Sequence, residues 1–192
     1  MSARIKSAQP PFSSAVQSRF DSLMPPGVPP LALFTMLARD ERLFERFMGG
    51  GLLDKGNLGL RHREIVIDRA TARCGSEYEW GVHVAFFAQK AELTDDQLRS
   101  LVHGSSDDAC WIEAADRLLI RVCDELHETA MVSDDLWEAL SGSFSDAACL
   151  EVLMLAGFYR TVSYLTNAAA LPLECFAARF PTKAVQSAPP NP

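Results

Sequence analysis

The chain has 192 residues, 48% hydrophobic and 22% charged, with a net charge of −7 from 18 basic and 25 acidic side chains. That length suits one domain with an apolar core of its own, and the composition excludes global disorder. The acidity argues against a nucleic-acid partner, because phosphate recognition needs a concentrated positive field.

The first 29 residues form a proline-rich arm ("QPPF", "MPPGVPP") expected to hold one short helix near Ser14–Leu23. From residue 30 to 175 nearly every segment has helical periodicity and none alternates like a strand, so the fold class is all-α, a single-domain helical bundle. A helix is expected from about Pro30 to Met48, broken by the glycines of "MGGG". A second runs from Gly59 or Leu60 to Cys74. Its arginines, Arg61, Arg63, Arg69 and Arg73, are the nearest approach to a basic patch, but Glu64 and Asp68 lie among them.

Gly75 ends that helix and Ser76 caps the next, which reaches about Ala91 and opens with S-x-x-E. Thr94 caps a short helix, and Cys110–Glu128 and Ser133–Ser141 read as two amphipathic ones. The last helix, Ser145 to about Ala169, is apolar on most sides, which marks a core helix or a subunit interface. Residues 176–192 read as a flexible tail. There is no N-terminal secretory pattern and no run of 18 apolar residues, so the cytoplasm, without a membrane, is the expected setting.

Cys74, Cys110, Cys123, Cys149 and Cys175 are odd in number and contain no C-x-x-C, which suggests neither a zinc ribbon nor a disulfide framework. Each reads as a small buried hydrophobe. The polar group that stands out is Ser76, Glu79 and His83, three residues within roughly a 60° arc of one helix. Glu79 and His83 are an i,i+4 pair beside aromatic neighbours. Burial and the facing carboxylate pull the imidazole in opposite directions, a setting suited to proton transfer near neutral pH.

Glu64, on the preceding helix, reaches the same pocket if the two helices pack antiparallel. Two readings stay open here: an acid–base site, or a capping box with a core histidine. Tyr78 and Trp80 serve as ligand platforms or as packing groups. Arg160, on the apolar last helix, must meet a carboxylate or a bound anion. No metal set is expected, since a second histidine at ligand spacing is missing.

The stretches "LRHREIVIDRATARCGSEYEWGVHVAFFAQKAELTDDQL" and "EVLMLAGFYRTVSYLTNAAALPLE" together resemble the carboxymuconolactone decarboxylase-like superfamily, which includes the alkylhydroperoxidase AhpD. The resemblance implies an all-helical AhpD-like bundle assembled as a homo-oligomer, trimer or hexamer. It places Glu64 and His83 at the family's glutamate and histidine positions. Ser76 and Glu79 stand where the peroxidase branch has its two redox cysteines, which disfavours thiol peroxidase chemistry. Ala85 stands where the decarboxylase branch carries an arginine.

The implied function is a cofactor-free enzyme, carboxy-lyase-like, acting on a small organic acid or lactone. His83, Glu79 and Glu64 would be catalytic, with Ser76, Tyr78, Trp80 and Arg160 contacting the small-molecule substrate. A non-catalytic binding or structural oligomer of the same fold is the alternative.

Overall fold

The computed structural model describes residues 3–52 and 54–183. Among them are nine helices and no strand: α1 Ser14–Leu23, α2 Ala32–Leu37, α3 Glu41–Gly50, α4 Leu60–Arg73, α5 Glu77–Phe87, α6 Asp95–His103, α7 Ala114–Thr129, α8 Asp134–Ser143 and α9 Asp146–Ala168. The all-helical expectation holds.

Helix α4 is the axis of the bundle. Every residue from Glu64 to Thr71 is buried, so the helix needs neighbours on all sides, and it packs against α5, α6, α7 and α9. Three of its arginines form a ladder to α7 in place of a surface patch. Arg61 meets Asp116 at 2.8 Å, Arg69 meets Asp124 at 2.7 Å, and Arg73 meets Glu128 at 2.7 Å. Both partners advance together along the chain, so α4 and α7 run parallel.

The turn into α5 fixes the site. The Ser76 amide donates to the Thr71 carbonyl and the Gly75 amide to that of Ala72, closing α4 in a Schellman arrangement. Gly75 has φ +64°, a conformation that favours glycine. Ser76 Oγ then accepts from the Glu79 amide at 3.5 Å, half of the expected capping box. The complete box is at Thr94 and Gln97.

Four boundaries differ from the sequence reading, the first being that α5 ends at Phe87, short of the expected Ala91, with turns following it. The helix expected over Pro30–Met48 is two, because Asp40 takes the Leu43 amide at 3.0 Å and starts α3 anew. Helix α3 continues through Gly49 and Gly50, where a Cβ would strike the Phe158 ring at 2.6 Å. Helix α7 begins at Ala114 instead of Cys110, since Trp111 is anchored in the core with its indole on Ser100 Oγ at 2.8 Å. Of the cysteines, Cys123 and Cys149 are buried as expected, whereas Cys175 is exposed and Cys74 and Cys110 are half-buried.

The arm is not free of the body. Val16 and Phe20 of α1 pack on Phe44 of α3 in a small second core. Residues assigned in part to a tail also cross α5. The Ala178 amide donates to the Gly81 carbonyl at 3.0 Å, the Phe180 ring lies 5.2 Å from Trp80, and Phe176 meets Phe86. The rest of that segment, 184–192, lies outside the described residues.

Helix α9 is, among the described residues, the one helix whose length and composition would suffice to cross a membrane. Its buried side, including Val152, Leu155, Tyr159 and Val162, packs against α4, α5, α7 and α8. Its other side exposes Leu150, Met154 and Tyr164.

Candidate active site

With α4 and α5 antiparallel across Gly75, Glu64 and His83 face each other. His83 Nδ1 lies 2.8 Å from Glu64 Oε2, and Nε2 lies 3.5 Å from Glu79 Oε1, one turn back on α5. Glu64 is fully buried, His83 is 4% exposed and Glu79 6%. Glu64 Oε1 accepts from the Arg63 guanidinium at 3.0 Å.

Burial pushes the imidazole down. The carboxylates of Glu64 and Glu79, by accepting from the ring and by their charge, outweigh it, and the ring titrates up at about 10. His83 is therefore an imidazolium at neutral pH, donating from Nδ1 to Glu64 with Nε2 at ion-pair distance from Glu79. Glu79 Oε2 has no hydrogen-bond partner among the described residues.

A cavity of about 240 Å³ opens onto this pair. The arm closes one side with Leu23, Met24 and Pro25. Phe34 and Phe47 stand opposite, α5 supplies Glu79, His83, Phe86, Phe87 and Lys90, and α9 supplies Phe158 and Tyr159. Apolar walls around a few convergent polar groups are the usual form of a small-molecule site.

Tyr159 sets its ring edge-on to His83 at 5.0 Å, and burial, followed by the Glu79 and Glu64 charges, drives its phenol well above the ordinary range. Its hydroxyl has no protein partner among the described residues. The sequence reading passed over it for its neighbour Arg160. The available signal was a polar-tipped ring on the buried side of an otherwise apolar helix.

The remaining sequence candidates do not line this cavity. Ser76 is fully buried and bonded to Thr166 Oγ1 of α9 at 2.8 Å. Tyr78 donates its hydroxyl to Glu174 at 2.5 Å and accepts the Leu33 amide, tying α2 to the chain beyond α9. Trp80 is covered by Phe180.

Arg160 lies in a separate groove and meets no carboxylate. Its guanidinium donates to the Tyr164 hydroxyl and to the Leu126 and His127 carbonyls. Those carbonyls end α7, where the helix dipole presents partial negative charge, so the backbone replaces the expected anion. Cys74 lines the same groove, 3.8 Å from His127 Nδ1. Burial pushes its thiol up.

Behind the site, Asp68 stands one turn beyond Glu64 on α4, 1% exposed, with neither oxygen partnered among the described residues. Burial, reinforced by the Glu64 charge and only partly offset by His83, raises it well above the carboxylate range. No cluster of three or more metal-ligating side chains occurs among the described residues.

Residues 41–120, from α3 into α7, match the model of the carboxymuconolactone decarboxylase family. Among solved structures, an uncharacterized peroxidase-related protein from Silicibacter sp. TM1040 superposes with a TM-score of 0.77 at 15% identity, over 91% of this chain and 94% of its own. The AhpD-core peroxidase-related protein from Ralstonia eutropha JMP134 gives 0.73 at 15% identity, over 89% and 93%. The debrominase Bmp8 gives 0.71 at 11% identity, over 90% and 92%. No curated protein matches the sequence.

Proposed function

We propose, for a chain that belongs to the carboxymuconolactone decarboxylase-like superfamily and has the AhpD-like helical fold, a cofactor-free enzyme that moves a proton at carbon in a small organic acid or lactone, in the manner of a carboxy-lyase. One observation carries the reading: Glu79, with an unpartnered carboxylate oxygen, and an imidazolium held through Nδ1 by Glu64 both line one apolar cavity. Neighbouring groups of opposite protonation state are the requirement for concerted acid–base work.

In this reading Glu79 takes a proton from the carbon next to a carbonyl. The electron pair of the broken C–H bond runs into that carbonyl, and His83 Nε2–H donates to its oxygen. In a decarboxylation the C–C pair takes the same route as CO2 leaves, and the carbon is then reprotonated. Glu64, which does not line the cavity, holds Nδ1–H and fixes the ring's orientation and charge. Tyr159 offers a second donor to the same oxygen.

The solved complex of a cysteine-to-alanine Bmp8 variant with 2,3,4-tribromopyrrole supports a small ring as a guest that this fold accepts. Thiol chemistry has less support, because Ser76 and Glu79 hold the two redox positions and Cys74 lies in another groove. The second reading, a non-catalytic oligomer, draws on the near-complete burial of the Glu64–His83 pair. The cavity separates the two, since a purely structural pair has no need to line one, as Glu79 and His83 do.

The proposal includes a homo-oligomer, trimer or hexamer, formed through the exposed Leu150, Met154 and Tyr164 of α9. It also includes the cytoplasm, whose reducing conditions suit five free cysteines. The test is turnover of a panel of lactone acids, followed by CO2 release and ultraviolet absorbance. A substrate of the wild-type protein should lose at least about 100-fold in kcat with Glu79→Gln, the lower range for a general base. Undiminished kcat would overturn the assignment.

A further inference from the structure

The cavity has one charged group that the proton-transfer chemistry leaves unused. Lys90 stands at its rim, in the turn that continues α5, seven residues beyond His83 and therefore on the same face. It is exposed and makes no hydrogen bond or ion pair among the described residues; its ammonium lies 5.7 Å from the centre of the Phe87 ring. Every other charged side chain at the site has an opposite partner. Arg63 and Glu64 pair with each other, and His83 sits between Glu64 and Glu79. One positive charge is left over, at the mouth.

Seven residues of helix rise about 10 Å. The space between floor and rim is walled by Phe34, Phe47, Phe86, Phe87, Phe158 and Val82 and offers few donors. An engineered apolar cavity of about 150 Å³ holds benzene, and this one, at about 240 Å³, has room for a ring with a short substituent.

We infer that the ligand of this cavity is a monoanion with an apolar ring, whose carboxylate docks on Lys90 at the rim and whose reacting end meets Glu79 and His83. The inference rests on the proposed function for which end reacts, but not for what binds. The docked carboxylate is a handle, not the group that reacts, because it lies two helical turns from His83; such a ligand takes the proton transfer at carbon and not the decarboxylation, having no carboxylate at the reacting end to leave as CO2. The second anionic group of a dicarboxylate would have to settle beside Glu79, and polyhydroxylated acids would leave their hydroxyls unpaired against phenylalanine. The cavity therefore selects against both.

The test is binding, measured by calorimetry on the full-length protein at low salt, with 4-methylbenzoate, 4-methylbenzamide and benzene-1,4-dicarboxylate as probes. The acid should bind about tenfold tighter than the amide, the scale of a charge-assisted hydrogen bond, and tighter than the dianion. Lys90→Gln should erase the preference for acid over amide, and Lys90→Arg should keep it. Because Lys90 is exposed, both variants should fold, which circular dichroism checks.

Equal binding of acid and amide to the wild-type protein would overturn the inference, as would an acid preference that survives Lys90→Gln, or no binding of any probe. The two readings fail separately. Lys90-dependent binding without turnover of any ring acid counts against the catalytic proposal, whereas turnover indifferent to Lys90→Gln counts against this one.

Discussion

His83 Nδ1 and Glu64 Oε2 stand 2.8 Å apart across the Gly75 turn, the histidine 4% exposed and the glutamate fully buried. Burial alone would push the imidazole toward its neutral form, and the Glu64 carboxylate is the first of the groups that hold it charged. His83→Leu leaves Glu64 with Arg63 on one oxygen and nothing on the other. The expected loss is about 3 kcal/mol, the lower end for a broken buried pair, because Arg63 remains. Urea denaturation measures it, and a loss under 1 kcal/mol would show that the pair contributes no net stability.

The same pair sets a pH dependence. The folded-state value of His83 is raised, to about 10 against the ordinary 6.5. Its contribution is thus complete below about pH 6.5 and is lost as pH rises toward 10. The urea midpoint of the wild-type protein should fall across that window, and that part of the fall should be missing from His83→Gln.

Asp68 makes the opposite case. A buried acid with unpartnered oxygens is a cost the fold carries. Its folded value is raised far above 3.8, so its burial weighs least below that pH and more as pH rises through the folded value. Asp68→Leu should stabilise the protein by about 1–3 kcal/mol at pH 7, the price of an orphaned polar group, and by less at pH 4. Thermal melts at the two pH values test this; a destabilised variant would show that Asp68 has a partner in solution.

Tyr159→Phe removes a hydroxyl that no protein group uses, so stability should change by less than about 0.5 kcal/mol. If the hydroxyl serves the reacting oxygen, kcat for a turned-over lactone acid should fall about tenfold or more, with KM little altered. Unchanged kcat would reduce Tyr159 to a wall of the cavity.

Gly81 lets the chain beyond α9 cross α5. A Cβ there would collide with the Ala178 carbonyl oxygen, a backbone atom and not the end of a flexible side chain. Gly81→Val should lift that segment, cost about 1–3 kcal/mol and expose the 176–183 stretch to protease. Limited proteolysis should cut the variant there before the wild-type protein.

Helix periodicity and glycine signals were enough to read the bundle, and the spacing of Glu79 from His83 with Glu64 a helix earlier named the three groups that meet. The helical wheel failed at Ser76, because a residue capping the first turn faces whatever lies below the turn, which is α9. It also failed at Trp80, which is covered by a segment nearly 100 residues later that no local pattern announces. The α4–α7 ladder was present in the sequence as equal spacings, Arg61, Arg69 and Arg73 against Asp116, Asp124 and Glu128. Matching them required knowing that the two helices run parallel. Lys90 and Tyr159 became visible only once the cavity showed which atoms converge.

The claim that Glu79 and His83 exchange protons with a bound carbon acid is tested most directly by hydrogen–deuterium exchange. Lactone acids in deuterated buffer at pH 7.5, followed by proton NMR, report proton removal even where no net reaction occurs. The wild-type protein should accelerate exchange at the carbon next to the carbonyl, and Glu79→Gln and His83→Gln should each reduce that acceleration by at least about 100-fold. Equal acceleration by wild-type protein and both variants would contradict it.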